Sequence, residues 1–325
     1  MIGTPTGRSE ALDSFDMVPP SRIDRVAARL AHEIGPDCVS RDMDLSPLCT
    51  YRVGGAAALA VNPRTIEELA GAVRVLVEAG CSFDVLGQGS NVLVSDRGST
   101  TPVIVTTALD RIELEGVRLK AQAGAACTRL AGAALGGGLT GLEFFHCLPG
   151  SAGGAAFMNG RAFGQEVAQV IEWADVITRE GEIERISLCP SDFGYKHSPF
   201  MDRPVVIARV GFRLEHAPRN EIRAMMESNE KHRRCKGEMD HPSCGCVFRN
   251  DRSVGISAGA LVDSCDLKGL RLGGAWVSHK HANFIVHSGK ATASQIRQLM
   301  EKVRDTVRRK TGHLLDYEVR FMGDW

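Results

Sequence analysis

Two glycine-rich segments in the first half of the chain place the strongest constraint on its fold. Residues 87–91 read GQGSN and follow an apolar strand-like pair, and residues 149–160 read PGSAGGAAFMNG. Small residues let backbone N–H groups approach an anion or a flat ligand closely. Each segment alone is also compatible with a tight turn or a packed crossing. Their occurrence in the same half of the chain favours a fold in which two loops converge on one ligand.

The order of helix and strand signals indicates an α+β fold. Capping boxes begin amphipathic helices at Thr65 and Thr292, which we expect to end at Gly80 and Gly312. A strand–helix–strand start is not followed by further units of the same kind, so a doubly wound sheet is not implied. A boundary is expected near residue 217. Further helices are predicted over 21–35, 128–135 and 221–234, and strands near 51–53, 85–94, 101–125 and 167–214.

Composition excludes several classes of protein. The chain has 325 residues, with 43% apolar and 24% charged residues, as in soluble globular proteins. Its formal net charge is zero, which argues against nucleic acid as a partner because such binders carry a basic excess. No apolar run approaches the ~18 residues of a membrane span. Residues 1–20 resemble no signal peptide and predict a flexible tail, so we expect a cytoplasmic protein without membrane association.

The segment 242–248, PSCGCVF, is suited to hold one small protic side chain at a reacting atom. That side chain is the thiol of Cys246, and a carboxylate, Glu318, follows near the end of the chain. With the glycine-rich loops, these groups suggest a flavin enzyme that reduces a polarised double bond. A zinc site is the alternative use of the soft ligands here, but their spacing is uncommon and no metal is predicted. Those ligands are His232, Cys235, His241, Cys244 and Cys246.

Eight segments occur in the order found in one enzyme family. Over residues 45–323 the chain resembles the UDP-N-acetylenolpyruvoylglucosamine reductases, the MurB family, in their shorter form. Any one segment is a weak signal, whereas the ordered set is specific. The segments are YRVGGA (51–56), LGQGSN (86–91), GLEF (141–144), PGSAGGA with MN (149–159), GCVF (245–248), AGALV (258–262), VSHKHANF (277–284) and EVR (318–320).

The resemblance implies a fold and a reaction. FAD is expected to bind noncovalently in a two-part domain of the vanillyl-alcohol-oxidase (PCMH) type, residues 21–217, made of two α+β lobes. A smaller α+β substrate-binding domain, 218–325, follows. NADPH is expected to reduce the flavin, which then reduces the enolpyruvyl double bond of a nucleotide sugar to give UDP-N-acetylmuramate for peptidoglycan synthesis. A monomer or weak homo-oligomer is expected.

The resemblance also implies roles for individual residues. Cys246 stands where the family has a serine proton donor, Glu318 matches a carboxylate that assists at the substrate's carboxyl group, and Lys196 stands where the family has arginine. Substrate contacts are expected from Tyr195, Ser243, Lys280, His281 and Asn283. Flavin contacts are expected from Tyr51, Arg52, Val53, Gly54, Gly55, Leu86, Gly87, Gly89, Ser90, Asn91, Pro149, Gly150, Ser151, Gly153, Gly154 and Asn159.

Departures from the family pattern leave alternatives open. The ordinary pKa of a thiol is about 8.5, far below that of an alcohol, so Cys246 predicts a proton more readily lost than that of serine and an altered pH dependence. Lys196 supplies charge without the planar grip of arginine. His146 and Cys147 replace small residues, and Arg161 lies in a divergent segment, but covalent flavin attachment is not expected. The alternatives are a related reductase of another unsaturated carboxylate and a catalytically inactive flavin-binding module.

Overall fold

The computed structural model describes residues 21–325, and the predicted tail 1–20 lies outside the described residues. Its α-helices are α1 (Arg22–Ile34), α2 (Ile66–Glu78), α3 (Cys127–Gly137), α4 (Ala152–Phe157), α5 (Arg219–Cys235), α6 (Ala258–Ser264) and α7 (Ala293–Thr311). Its strands are β1 (Val39–Asp44), β2 (Ala56–Val61), β3 (Asp84–Leu86), β4 (Val92–Val94), β5 (Val103–Val105), β6 (Ile112–Glu115), β7 (Arg118–Gln122), β8 (Leu139–Thr140), β9 (Arg161–Ala162), β10 (Gln165–Glu166), β11 (Ile171–Ile177), β12 (Ile183–Ser187), β13 (Val206–Arg213), β14 (Glu215–His216), β15 (Arg271–Leu272), β16 (Ala275–Val277), β17 (Ile285–His287) and β18 (Arg320–Met322).

The first lobe is built on a four-stranded sheet in the order β1-β2-β5-β3. Strands β2, β5 and β3 run parallel, and β1 pairs antiparallel with β2. The N-terminal ends of α1 and α2 are fixed by capping boxes at Ser21 and Thr65, in which the hydroxyl accepts from a backbone N–H. The boxes confirm the predicted helix starts. Loop 87–91 leaves the carboxyl end of β3.

Residues 51–55 form a turn, so the strand predicted at this place is wrong. The strand β2 begins only at Ala56, after the glycines. Positive φ angles of 54° at Arg52 and 118° at Gly54 bend the chain. A Cβ at Gly55 would lie 2.5 Å from the carbonyl oxygen of Asp96, so the close packing of this turn against a neighbouring loop requires glycine.

The second lobe is a five-stranded antiparallel sheet in the order β12-β11-β13-β7-β6. Helix α5 packs on this lobe, because Ile222 and Met226 belong to its apolar core and Asn229 donates to the carbonyl of Glu143 at 3.1 Å. The predicted boundary at residue 217 stays a prediction. Helix α5, which that boundary assigns to the second domain, has its buried face on the second lobe.

The end of the chain returns to the first lobe. Strand β18 pairs parallel with β4, and the Asn91 side chain donates to the Glu318 carbonyl at 3.0 Å. This pairing sets Glu318 beside the first glycine-rich loop. The other C-terminal elements are the sheet β15-β16-β17 and the helices α6 and α7. In the described part of the chain, no helix is both long and apolar enough to cross a membrane.

Asp96 of the first lobe fastens the N-terminal end of α7. Its carboxylate accepts from the N–H of Ala293 at 2.7 Å and from the N–H and hydroxyl of Ser294 at 2.8 and 2.6 Å. Burial raises the pKa of Asp96, but the hydrogen bonds from Ser294 and Ala293 outweigh it and hold that pKa below its usual range.

We expect Asp96→Ala to lower the free energy of unfolding by about 1 kcal/mol at neutral pH, as for the loss of a helix cap. Because the folded-state pKa is depressed, the contribution is present above the ordinary carboxyl pKa and disappears as the pH falls through the folded-state pKa. Urea unfolding of both proteins at neutral and at low pH measures the difference. Equal stabilities at neutral pH would contradict the capping role.

Candidate active site

A cleft of about 840 Å³ lies where the two lobes and the C-terminal elements meet. The two glycine-rich loops form one wall, and side chains from the C-terminal half form another. Ten of the flavin contacts that we expected in or beside these loops line it. They are Leu86, Gly87, Gly89, Ser90, Asn91, Pro149, Gly150, Ser151, Gly153 and Gly154.

The two loops contact each other, so that they form one cradle. A Cβ at Gly87 would lie 2.4 Å from the Ser151 hydroxyl oxygen, and one at Gly150 would lie 3.0 Å from the Ser90 hydroxyl oxygen. Among the described residues, no protein acceptor pairs with the N–H groups of Gly89 or Ser90. Free donors in a small-residue cradle suit a pyrophosphate, so these residues fit the diphosphate of FAD.

The remaining predicted flavin contacts lie outside the cleft wall. Tyr51 is fully buried, donates from its hydroxyl to the Ile285 carbonyl at 3.0 Å, and contacts His287 through its own carbonyl at 2.6 Å. The side chain of Asn159 donates to the Gly194 carbonyl and accepts from the Ala168 N–H. These residues brace the loops around the cleft. Arg52, Val53, Gly54 and Gly55 belong to the same turn as Tyr51.

Three residues from distant segments meet in the cleft: Cys246, Lys196 and Glu318. The ammonium nitrogen of Lys196 lies 2.5 Å from a carboxylate oxygen of Glu318, with only 15% and 11% of the two side chains exposed. Glu318 is fixed through its N–H, which donates to the Val247 carbonyl at 2.8 Å, beside Cys246. The structure thus brings together the three predicted catalytic side chains as a sheltered ion pair and a thiol.

The Cys246 thiol holds its proton more strongly than an ordinary thiol does. Burial and, to a smaller extent, the negative charge of Glu318 raise the pKa of Cys246 to about 12, although the positive charge of Lys196 opposes them. Its side chain packs near the apolar cluster that contains Trp276 and Phe284. The thiol is therefore protonated throughout the neutral range, and the altered pH dependence relative to a serine stays a prediction.

Sequence reasoning missed a second charged pair in the cleft. Arg233 of α5 is 8% exposed and lies 3.1 Å from the Glu238 carboxylate, and both line the cleft. Within the described residues, the Nε atom of Arg233 is buried without a hydrogen-bond partner. Arg320 also lines the cleft, with its guanidinium 5.2 Å from the Phe157 ring centre. Helix α5 is rich in charged residues, most of which face solvent. Its sequence therefore gives no signal that distinguishes Arg233, which is buried at the cleft, from its exposed neighbours.

The five predicted substrate contacts all lie outside the cleft wall. Lys280 pairs with Asp240 at 2.8 Å, and the Tyr195 hydroxyl accepts from the N–H of Asn250 at 3.4 Å. Asn283 is 3% exposed, and its amide accepts from the Phe248 N–H and donates to the Phe248 carbonyl. Asn283 therefore supports the backbone at Phe248, and the substrate contacts expected from the others, which include Ser243 and His281, stay predictions.

We expect Asn283→Leu to lower the free energy of unfolding by about 2–4 kcal/mol, because both backbone groups of Phe248 would be left buried without partners. Lys280→Met is the matched control from the same segment. Its partly exposed ion pair contributes only about 0–1 kcal/mol. Thermal or urea unfolding measures both variants, and equal stability losses would contradict the supporting role of Asn283.

The zinc alternative raised by the sequence does not form a cluster. In the part of the chain that is described, the group with at least three ligand atoms within 4.8 Å of one another is His146, Cys147 and Glu230. The ligands that the sequence suggested, among them His232 and Cys235, do not belong to this group. His146 and Cys147 also lie outside the cleft wall, which gives no support to covalent attachment of the flavin there.

Family models match two parts of the chain. Residues 57–187 match an FAD binding domain, and residues 237–322 match the C-terminal domain of UDP-N-acetylenolpyruvoylglucosamine reductase. The 4-ethylphenol oxidase from Gulosibacter chungangensis, at 16% identity and a TM-score of 0.50, covers 93% of this chain and 66% of its own. This likeness bears on the fold alone and agrees with the predicted vanillyl-alcohol-oxidase type.

Alignments with relatives of higher identity cover nearly the whole length of this chain and of each relative. The chain is 37% identical to the UDP-N-acetylenolpyruvoylglucosamine reductase of Pediococcus pentosaceus, over 87% of this chain and 94% of that protein. The reductase of Treponema denticola is also 37% identical, over 86% and 92%. The solved reductase of Thermus caldophilus is 33% identical, with a TM-score of 0.73 over 87% and 98%. The chain therefore belongs to the UDP-N-acetylenolpyruvoylglucosamine reductase family.

Proposed function

We propose that Cys246, Lys196 and Glu318 perform the substrate half of the reaction that family membership gives this chain. The chain is an FAD-dependent oxidoreductase that uses NADPH to reduce the enolpyruvyl double bond of UDP-N-acetylglucosamine enolpyruvate, forming UDP-N-acetylmuramate for peptidoglycan synthesis. FAD, when bound, would supply the hydride transfer from NADPH to the alkene. The observation that carries the residue assignment is the meeting of the thiol and the ion pair in the cleft that the glycine-rich loops enclose.

Cys246 is the proposed proton donor. Reduction of the alkene adds a hydride to one carbon and a proton to its neighbour, so the protein must keep a proton available beside the alkene. Burial keeps the pKa of Cys246 near 12 and thereby keeps the thiol protonated before reaction. Transfer of the proton to carbon leaves a thiolate, which the positive charge of Lys196 stabilises and solvent then reprotonates.

Lys196 and Glu318 are proposed to receive the carboxylate end of the substrate. With its ammonium group 2.5 Å from Glu318, Lys196 is held within the cleft and is shielded from water. A positive charge in this low-dielectric position stabilises the negative charge that develops on the substrate carboxylate side. Glu318 fixes the position of that ammonium group and sets the local charge balance when substrate is absent.

The two alternative functions are less well supported. The identity of 37% over 94% of a reductase favours the named nucleotide sugar over another unsaturated carboxylate. An inactive module is disfavoured by the pairing of Lys196 with Glu318 beside Cys246, since each substituted residue keeps a usable functional group.

We expect the purified protein to contain FAD and to oxidise NADPH rapidly only when UDP-N-acetylglucosamine enolpyruvate is present. Turnover measured with that compound, with enolpyruvyl compounds lacking the uridine diphosphate, and with other unsaturated carboxylates tests this. Turnover of a different carboxylate in its place would support the related-reductase alternative. Flavin binding without turnover of any of them would support the inactive module.

We also infer a cytoplasmic location, since NADPH and nucleotide sugars are supplied there, and a monomer or weak homo-oligomer. Light scattering during size-exclusion chromatography at several concentrations measures the mass directly. A concentration-independent oligomer would contradict the second inference.

A further inference from the structure

Three possible metal ligands converge beside the cleft, where the loop before the second glycine-rich segment meets α5. Ligand atoms of His146, Cys147 and Glu230 all lie within 4.8 Å of one another. His146 Nε2 lies 3.3 Å from Glu230 Oε2, and the two side chains are 27% and 29% exposed. The group is sheltered yet reachable from solvent, and the proposed reaction does not use it.

We propose that His146, Cys147 and Glu230 bind one Zn²⁺ ion, with a fourth position open to water. An imidazole nitrogen, a thiolate sulfur and a carboxylate oxygen are all ligands that Zn²⁺ takes, and three protein ligands leave one place in a tetrahedral shell. On binding, the ion takes the place of the contact between His146 and Glu230. Cys147 binds as the thiolate, and its proton is released to solvent.

Arg234 holds the carboxylate in the orientation that this site needs. Its Nε and Nη2 atoms donate to Glu230 Oε1 at 2.9 and 2.6 Å, which leaves Oε2 facing His146. Outer-shell hydrogen bonds of this kind orient metal-binding carboxylates. The positive charges of Arg233 and Arg234 lie near Cys147 and would repel a bound cation. The thiolate and the carboxylate together supply the two negative charges that neutralise Zn²⁺.

The ion would connect two parts of the cleft wall. Leu148 and Pro149, which line the cleft, follow Cys147 directly, and α5 carries Arg233 into the same cleft. Zn²⁺ bound to Cys147 and Glu230 would therefore tie the flavin loop to α5. We expect it to raise the thermal unfolding temperature of the flavin-loaded protein, because it binds only the folded arrangement.

Titration of the flavin-loaded, metal-stripped protein with Zn²⁺ by calorimetry tests the site. We expect one equivalent per chain in the wild type, and we expect Cys147→Ser and His146→Asn each to weaken binding by more than about 100-fold, since even loss of an outer-shell partner costs about 10–100-fold. Cys235→Ser is the matched control, because this exposed thiol at the end of α5 lies outside the group. Flavin content per chain checks the folding of each variant.

Co²⁺ bound to the wild type provides a test that needs no variant. A tetrahedral site with one thiolate gives strong d–d absorption at wavelengths longer than those of the flavin. Absence of a stoichiometric zinc site, a cobalt complex without thiolate character, or wild-type affinity in both Cys147→Ser and His146→Asn would each overturn the proposal.

Discussion

Replacing Cys246 with alanine is expected to slow reduction of the enolpyruvyl nucleotide sugar by about 10²–10⁴-fold, the usual contribution of a positioned acid. Reduction of the flavin by NADPH should stay near the wild-type rate, because that half-reaction needs no proton from the thiol. Stopped-flow absorbance of the flavin separates the two half-reactions. A specific loss in the second one locates the function of Cys246 at the step that protonates carbon.

Cys246→Ser and Cys189→Ser are the controls for this prediction. The serine variant at 246 keeps a protic group at the same position and should retain most of the activity, whereas Cys189 is an exposed thiol that does not line the cleft. Because the pKa of Cys246 is about 12, its donor form is lost only as the pH rises through that value. The wild-type enzyme should therefore lose no activity through deprotonation of Cys246 across the neutral range. An unimpaired Cys246→Ala enzyme would remove the thiol from the mechanism.

Replacing Glu318 with glutamine is expected to lower the same half-reaction by at least about 100-fold. The change preserves shape and removes the negative charge 2.5 Å from the Lys196 ammonium group. Removal of one partner of a buried pair leaves the other uncompensated and typically costs about 3–5 kcal/mol of stability. Rates from stopped-flow and unfolding free energies from urea titration measure both consequences.

A double-mutant cycle between Glu318 and Lys196 provides the control. Lys196→Met and Glu318→Gln remove the two charges separately and together, and contacting residues that act as a unit give non-additive effects. Lys196→Arg keeps the positive charge and should be milder than Lys196→Met. If the single effects simply add, the two side chains do not act as a pair.

Features set by neighbouring residues could be predicted from the sequence. The helix starts at Thr65 and Thr292 depend on a hydroxyl and a side chain three residues later, and both capping boxes are present. The glycine-rich loops depend on small residues within each segment, and they line one cleft. The family resemblance added the roles expected of Cys246 and Glu318, which no local pattern contains.

Features set by distant packing could not be predicted in this way. The predicted strand at 51–53 is a turn because Gly55 packs closely against the loop at Asp96. Asn283 looks like any polar side chain in a strand, but its amide pairs with the backbone of Phe248, which is far along the chain. The pKa of Cys246 follows from burial and from two charges brought in by other segments, so the ordinary thiol value was misleading.

The most direct measurement is anaerobic single-turnover reoxidation of the NADPH-reduced flavin by UDP-N-acetylglucosamine enolpyruvate. We predict rapid return of the oxidised flavin spectrum in the wild type, with one equivalent of UDP-N-acetylmuramate formed per flavin. A reduced flavin that stays reduced when the enolpyruvyl nucleotide sugar is present in excess would contradict the account.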